Sequence, residues 1–296
     1  MKKNGYDTSR FRWPDGKSFR IDKAPTKVKD LYADDKDYET RIAALRERIN
    51  DLQKKMYAHN RYAVLAVFQA MDAAGKDSTI THVFTGVSPT SVVVHDFKSP
   101  STIELEHDYL WRSIITLPER GKIGVFNRSY YEEVLICKVH PEIITKYQRL
   151  PEHSTKDMKK LYRHRYESIR TFESHLHWNG TRVIKFFLNV SKKEQARRFL
   201  ARIDDPSKNW KFNEADLAER DHWAKYMEAY QAAIRETATN DAPWYVIPAD
   251  DKKNMRLLVA SAMLEEMQKL HLSWPELPKE QKAALARSRA TLAKQV

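Results

Sequence analysis

At 296 residues the chain is long enough for one α/β domain with insertions, or a domain plus extensions, and its 42% hydrophobic and 31% charged content excludes wholesale disorder. Its one cysteine, Cys137, excludes an internal disulfide framework and fits the reducing cytoplasm. Lysine and arginine number 52 against 40 aspartates and glutamates, and the net charge of +12 favours polyanions: nucleic acid, an acidic membrane or inorganic polyphosphate.

The first residues, MKKNGYDTSRFRW, begin basic but carry no apolar stretch, so no secretory signal is expected. Residues 1–34 are polar and turn-rich and read as an arm laid over the core. Ile42, Leu45, Ile49, Leu52 and Met56 then recur at helical spacing, predicting a helix over Asp35–His59 and a first unit of 1–60. Tyr62–Phe68 is a continuous apolar run, as expected of a strand buried on both faces and far short of the ~18 residues of a membrane span. No membrane partner is expected. Further strands are predicted at Ser91–Phe97, Lys122–Phe126, Arg182–Val190 and Pro243–Pro248. Helical stretches separate them. Ser101-Thr-Ile-Glu104 and Ser191-Lys-Lys-Glu194 both match the capping box, in which Ser and Glu satisfy each other's backbone donors. Such alternation predicts an α/β fold with a parallel sheet covered on both faces, ligands sitting beyond the carboxyl ends of its strands. The core is assigned 61–272. Residues 273–296 read as a Pro-punctuated link and a charged, Ala-rich terminal helix.

Gln69-Ala-Met-Asp-Ala-Ala-Gly-Lys-Asp-Ser-Thr79 follows the best buried strand and leads into a helix, the setting a phosphate-binding loop requires. Backbone N–H groups at the positive end of a helix attract phosphate oxygens, and Lys76 can bring an ammonium to a transferring group. The strict pattern has Gly where Ala70 stands and Ser or Thr where Asp77 stands; a plain strand-to-helix turn at Gly75 is the structural alternative. Asp72 and Asp77 flank the loop. Two carboxylates suit an anion cradle if Mg²⁺ shares it, since Mg²⁺ takes one or two carboxylates together with waters and phosphate oxygens.

Together with Met71–Asp77, the segments Phe97-Lys-Ser-Pro100, His107–Arg112, Phe126-Asn-Arg-Ser-Tyr-Tyr-Glu132, Arg202–Phe212 and Ala242–Lys252 stand in the order found in the family-2 polyphosphate kinases, which the chain resembles from about Ala63 to Leu270. Asn127 and Glu132 make it most similar to the third subclass, whose members act on nucleoside mono- and diphosphates. The resemblance implies a thymidylate-kinase-like P-loop fold: a five-stranded parallel sheet flanked by helices, with a helical lid over about 203–222. It implies Mg²⁺ as the ion, with Mn²⁺ as the alternative. It also implies polyphosphate on the loop and in a basic channel, AMP, ADP, ATP or a guanine nucleotide under the lid, and a homo-oligomer.

Transfer between phosphate chains needs two polyanions held in line and their shifting charge neutralised, with no strong base. Lys76 and Arg128 are the expected cations and Asp72, Asp77 and Glu132 the expected metal ligands, Glu132 compensating for the neutral Asn127 in the place of an acidic residue. Ala73, Ala74, Gly75, Lys76, Asp77 and Ser78, with Arg202, Lys208 and Lys211, are expected on polyphosphate. Lys98, Asp108, Arg112 and Asn127 are expected on the nucleotide. Trp210 is read as a lid anchor, and His164, His175 and His177 as structural or surface residues. Two rivals remain: a nucleotide kinase using ATP as donor, and a basic nucleic-acid-binding protein. The aromatics fall in strand and helix patterns rather than an exposed stacking platform, so a nucleic-acid partner is not expected.

Overall fold

The computed structural model describes residues 5–296, apart from the side chain of Lys211. Strands β1 (Arg12–Trp13), β2 (Ala63–Gln69), β3 (Val92–Asp96), β4 (Ile123–Asn127), β5 (Thr181–Asn189) and β6 (Trp244–Pro248) form one sheet in the order β1-β6-β5-β2-β4-β3. The five strands β2 to β6 run parallel to one another. The sheet nonetheless has six strands, not the five expected. Arg12 and Trp13 of the arm pair antiparallel with Tyr245 and Trp244, occupying an edge of β6 that would otherwise offer unpaired backbone groups. Two residues are too few to show a period, so this strand leaves no trace in the sequence pattern.

β2 lies at the centre, and all seven of its residues are buried. Phe68 stacks on Phe186 of β5 at 4.9 Å, and truncating either ring would cost about 3–5 kcal/mol. The chain runs from β2 out to the edge strand β3, returns to β4, then crosses to β5. That reversal opens a crevice at the carboxyl ends of β2 and β4, where ligands bind in such sheets.

The longer helices are α1 (Asp35–His59), α2 (Lys76–Phe84), α3 (Met158–Trp178), α4 (Lys192–Ile203), α5 (Ala215–Asp221), α6 (Trp223–Thr237), α7 (Lys252–Gln268) and α8 (Lys279–Leu292). In α1, Ile42, Leu45, Ile49 and Met56 are fully buried and Leu52 packs at the margin, the face lying against α7. Asp34 caps this helix by accepting from the Asp37 N–H at 2.8 Å. The Ser101 capping box is complete: Ser101 Oγ accepts from Glu104 N, and Ser101 N donates to the Glu104 carboxylate. The Ser191 box is only half made. Ser191 Oγ accepts from Glu194 N, but Ser191 N donates to Asp250, because two arginines hold the Glu194 carboxylate. Helix α8 buries none of its residues. Among the described residues no helix is long and apolar enough to cross a membrane.

Candidate active site

Between β2 and α2 the chain must turn sharply, and two residues adopt left-handed backbone: Gly75 at φ 103° and Ala73 at φ 59°. Glycine does so freely, whereas alanine pays about 1–2 kcal/mol. Ala70, which stands where the strict motif has glycine, is not among the positive-φ residues, so its side chain does not restrict the loop. The N-terminal turn of α2 leaves backbone N–H groups without helical partners, aimed where anions bind. Helix α4 grips the loop from outside: Gln195 Nε2 donates to Asp72 O at 2.8 Å, and Arg198 donates to Ala73 O and Ala74 O.

These groups open on a cavity of about 600 Å³. Asp72, Ala73, Ala74, Gly75, Lys76, Asp77 and Ser78 form its loop wall, and Asp96, Asn127 and Arg128 its sheet wall. Arg202, Lys208, Trp210, Asn213 and Asp216 bound it from the lid side, and Lys252 from the start of α7. Arg128 and Arg202 therefore face one space. The lid segment forms a 3-10 turn, Pro206–Lys211, followed by α5, and Lys208 pairs there with Asp205. The Trp210 indole donates to Ser207 O at 3.0 Å within that turn, while its ring is 77% exposed.

The Lys76 ammonium is buried and donates to Ala70 O at 3.0 Å. Burial pushes its pKa below the ordinary lysine value, although Asp72 pulls it back up. Arg128, itself at φ 60°, donates to Asp72 Oδ1 at 3.2 Å. Burial would lower the Arg128 pKa, but Glu132, Asp72 and Asp96 outweigh it and hold the guanidinium charged. The Asp216 carboxyl, reaching in from the lid, has its pKa raised by burial and by Asp72. Cations and carboxylates thus alternate around the cavity, an arrangement that can screen two phosphate chains and an ion between them.

The donor set at the loop fits Mg²⁺. Asp72 and Asp77 both line the wall, and beside them the buried Oδ1 of Asn127 has no hydrogen-bond partner while its Nδ2 donates to Asp77 at 2.9 Å. Glu132 is not brought to this wall. It lies on a 3-10 turn behind Arg128, where burial raises its pKa and Arg128, Lys76 and a hydrogen bond with Gln69 pull it down. Among the described residues no group of three potential ligands converges, so the expected trio of Asp72, Asp77 and Glu132 is not assembled.

The expected nucleotide residues are also divided. Asn127 lines the main cavity. Asp108 and Arg112 line a separate cavity of about 90 Å³, too small for a nucleotide. Arg112 is buried, donates to Lys98 O at 2.8 Å and lies over the Phe97 ring, so it braces the turn that presents the exposed Lys98. The Lys211 side chain lies outside the described residues. Asp96, Asn213, Asp216 and Lys252 were not singled out from the sequence. Lys252 ends the Ala242–Lys252 segment, Asp96 immediately precedes Phe97-Lys-Ser-Pro100 and Asn213 immediately follows Arg202–Phe212, whereas Asp216 was marked only by falling within the expected lid. Cys137 is buried and does not line the cavity, and burial pushes its thiol pKa up.

Comparison with known proteins agrees with this geometry. The family model described as polyphosphate kinase 2 matches residues 32–273. An ADP-polyphosphate phosphotransferase of Rhodopseudomonas palustris is 50% identical over 287 residues, covering 97% of this chain and 99% of that one. An AMP/ADP-polyphosphate phosphotransferase of Meiothermus ruber is 43% identical over 235 residues, 79% of this chain and 83% of its own. The crystal structure of polyphosphate kinase 2 from Arthrobacter aurescens superposes with a TM-score of 0.84 at 36% identity, covering 97% of this chain and 98% of that one. The chain belongs to the polyphosphate kinase 2 family.

Proposed function

We propose that this enzyme moves phosphoryl groups between inorganic polyphosphate and ADP, and between polyphosphate and AMP, in a single cavity by direct in-line transfer. One observation carries the reading: the phosphate loop, Lys76, Arg128, Arg202 at the end of α4 and the lid's Lys208 all face the same space of about 600 Å³. ADP as acceptor is supported by the name of the 50%-identical relative, and AMP by that of the 43%-identical one.

The terminal polyphosphate groups rest on the Ala73–Ser78 amides, with the chain leaving past Arg202 and Lys208; Lys211 belongs to the same lid turn. Lys76 and Arg128 hold charge that spreads over the transferring group's oxygens as one P–O bond breaks and the other forms. Acceptor phosphates are largely ionised near neutral pH, so no side chain need remove a proton. Asp72 and Asp77 would hold Mg²⁺, which would neutralise phosphate charge. Asn127 orients the Asp77 carboxylate through its 2.9 Å hydrogen bond. Descent of the Pro206–Lys211 turn would exclude water and limit loss of phosphate by hydrolysis.

The test supplies Mg²⁺ and long-chain polyphosphate with AMP or ADP separately and resolves the nucleotides. ADP from AMP and ATP from ADP are expected. Product from ADP alone would exclude the monophosphate activity, and product from neither would overturn the assignment.

A further inference from the structure

The N-terminal arm reaches the phosphate loop through an unbroken chain of hydrogen bonds, although residues before 32 lie ahead of the span the family model matches. Thr26 and Asp250 pair reciprocally: Thr26 Oγ1 donates to Asp250 Oδ2 at 2.8 Å, and Asp250 N donates to Thr26 O at 2.9 Å. Beside them Asn189, at the end of β5, donates to the carbonyls of Ala24 and Pro25. Asp250 Oδ1 also accepts from Ser191 N at 2.7 Å, fixing the start of α4.

Arg198 joins this knot to the loop. Its Nη2 donates to Ala249 O at 2.6 Å and Asp250 O at 3.2 Å, its Nη1 to Ala73 O at 3.2 Å and Ala74 O at 2.6 Å, and its Nε to Glu194 at 2.8 Å. All five guanidinium donors are thereby used, four on backbone carbonyls and one on Glu194, so this buried arginine, although its side chain borders the cavity, is spent on holding the loop. The carbonyls it holds belong to the strained part of the loop. Ala73 at φ 59° would relax to an ordinary backbone conformation unless its surroundings oppose it, and relaxation would swing the neighbouring amides off the cavity.

We propose that Thr26 is a positioning residue for phosphoryl transfer, acting through Asp250 and Arg198 to hold Ala73 and Ala74 in the phosphate-binding conformation. This inference rests on the polyphosphate-transfer reading and extends it to the arm. Losing the Thr26 hydroxyl leaves an acceptor of the Asp250 carboxylate unpaired and loosens the joint without touching the cavity. A charge-assisted bond of this kind, partly transmitted, corresponds to roughly a three- to tenfold loss in turnover.

The experiment compares wild type, Thr26→Val, Thr26→Ser and Arg198→Lys in the full chain. It measures kcat and KM with long-chain polyphosphate and ADP per folded enzyme, well below each melting temperature. Thr26→Val should lose turnover with the KM for ADP unchanged, and Thr26→Ser should restore it. Arg198→Lys, which cannot reach all five acceptors, should lose more. Wild-type turnover by Thr26→Val, equal losses in the Val and Ser variants, or wild-type turnover by Arg198→Lys would each overturn the proposal. If wild type itself forms no ATP from polyphosphate, the underlying reading fails instead.

Discussion

Replacing Lys76 by alanine separates catalysis from stability more cleanly than any other change at this site. The ammonium is buried, touches the loop through Ala70 O at 3.0 Å and faces the cavity. In a water-poor site, a preorganised cationic donor to a developing negative charge is worth about 3–4 kcal/mol, so Lys76→Ala should lower kcat by about 10²–10³-fold. Folding should hardly suffer. Because burial depresses the native pKa of Lys76, the native state binds its proton less readily than the unfolded chain. Stability therefore rises with pH between the folded value and the ordinary lysine value of 10.5, and the charged form carries a penalty at neutral pH. The substitution removes that penalty and loses some packing, for a net change within about 1 kcal/mol. Urea melts at pH 7 and at pH 10 give the stability terms, and steady-state assays of ATP formation give the rate. The wild-type advantage should grow on going to the higher pH, because only wild type gains there. A folded Lys76→Ala protein keeping more than about a tenth of wild-type kcat would refute the assigned role.

Other consequences concern the carboxylates and the core. Glu132→Gln should lower kcat by about tenfold by unbalancing Arg128, while leaving half-saturating Mg²⁺ unchanged because Glu132 is off the cavity wall; a large shift in the Mg²⁺ requirement would return Glu132 to the metal. The folded pKa of this carboxyl is raised, so stability is lost as pH rises from the unfolded value through the folded one, and Glu132→Gln should be relatively more stable at pH 7 than at pH 4 in urea melts. Asn127→Asp sets a second carboxylate against Asp77, in place of a 2.9 Å hydrogen bond, and should reduce half-saturating Mg²⁺ severalfold in a metal titration of turnover; a weaker Mg²⁺ response would contradict the metal placement. Lys185→Met strands the fully buried Glu173, which its ammonium meets at 2.6 Å, at a cost of about 3–5 kcal/mol in urea unfolding, and adding Glu173→Gln should recover much of it.

What the sequence made legible follows from the physics of each element. Strands buried on both faces stand out as continuous apolar runs, and the half-exposed edge strand β3 is marked instead by its β-branched Val92–Val94; all five parallel strands fall within a residue or so of their expected places. The stripe from Ile42 to Met56 marks α1 because one face must meet α7. A two-residue strand offers no such signal, and its place on β6 is decided by tertiary pairing alone. The half-made box at Ser191 fails for a similar reason: Asp250, distant in sequence, takes the Ser191 N–H, while Arg197 and Arg198 on the same helix hold the Glu194 carboxylate. At the site, the spacing around Gly75 and Lys76 located the loop, because a tight turn before a helix is a local feature. The division between Asn127 on the cavity and Arg112 behind the Lys98 turn is not local. Nor is the retreat of Glu132 toward Gln69: one helical turn from Arg128 in sequence leaves its direction undetermined.

The most direct measurement follows a mixture of enzyme, Mg²⁺, long-chain polyphosphate and ADP, with ATP and chain-terminal phosphate counted together. A cavity holding both phosphate chains predicts one ATP formed for each phosphate lost from the polymer, both slowed about 10²–10³-fold in Lys76→Ala. ATP appearing together with an equal amount of AMP, from two ADP, while the polymer stays intact would contradict it.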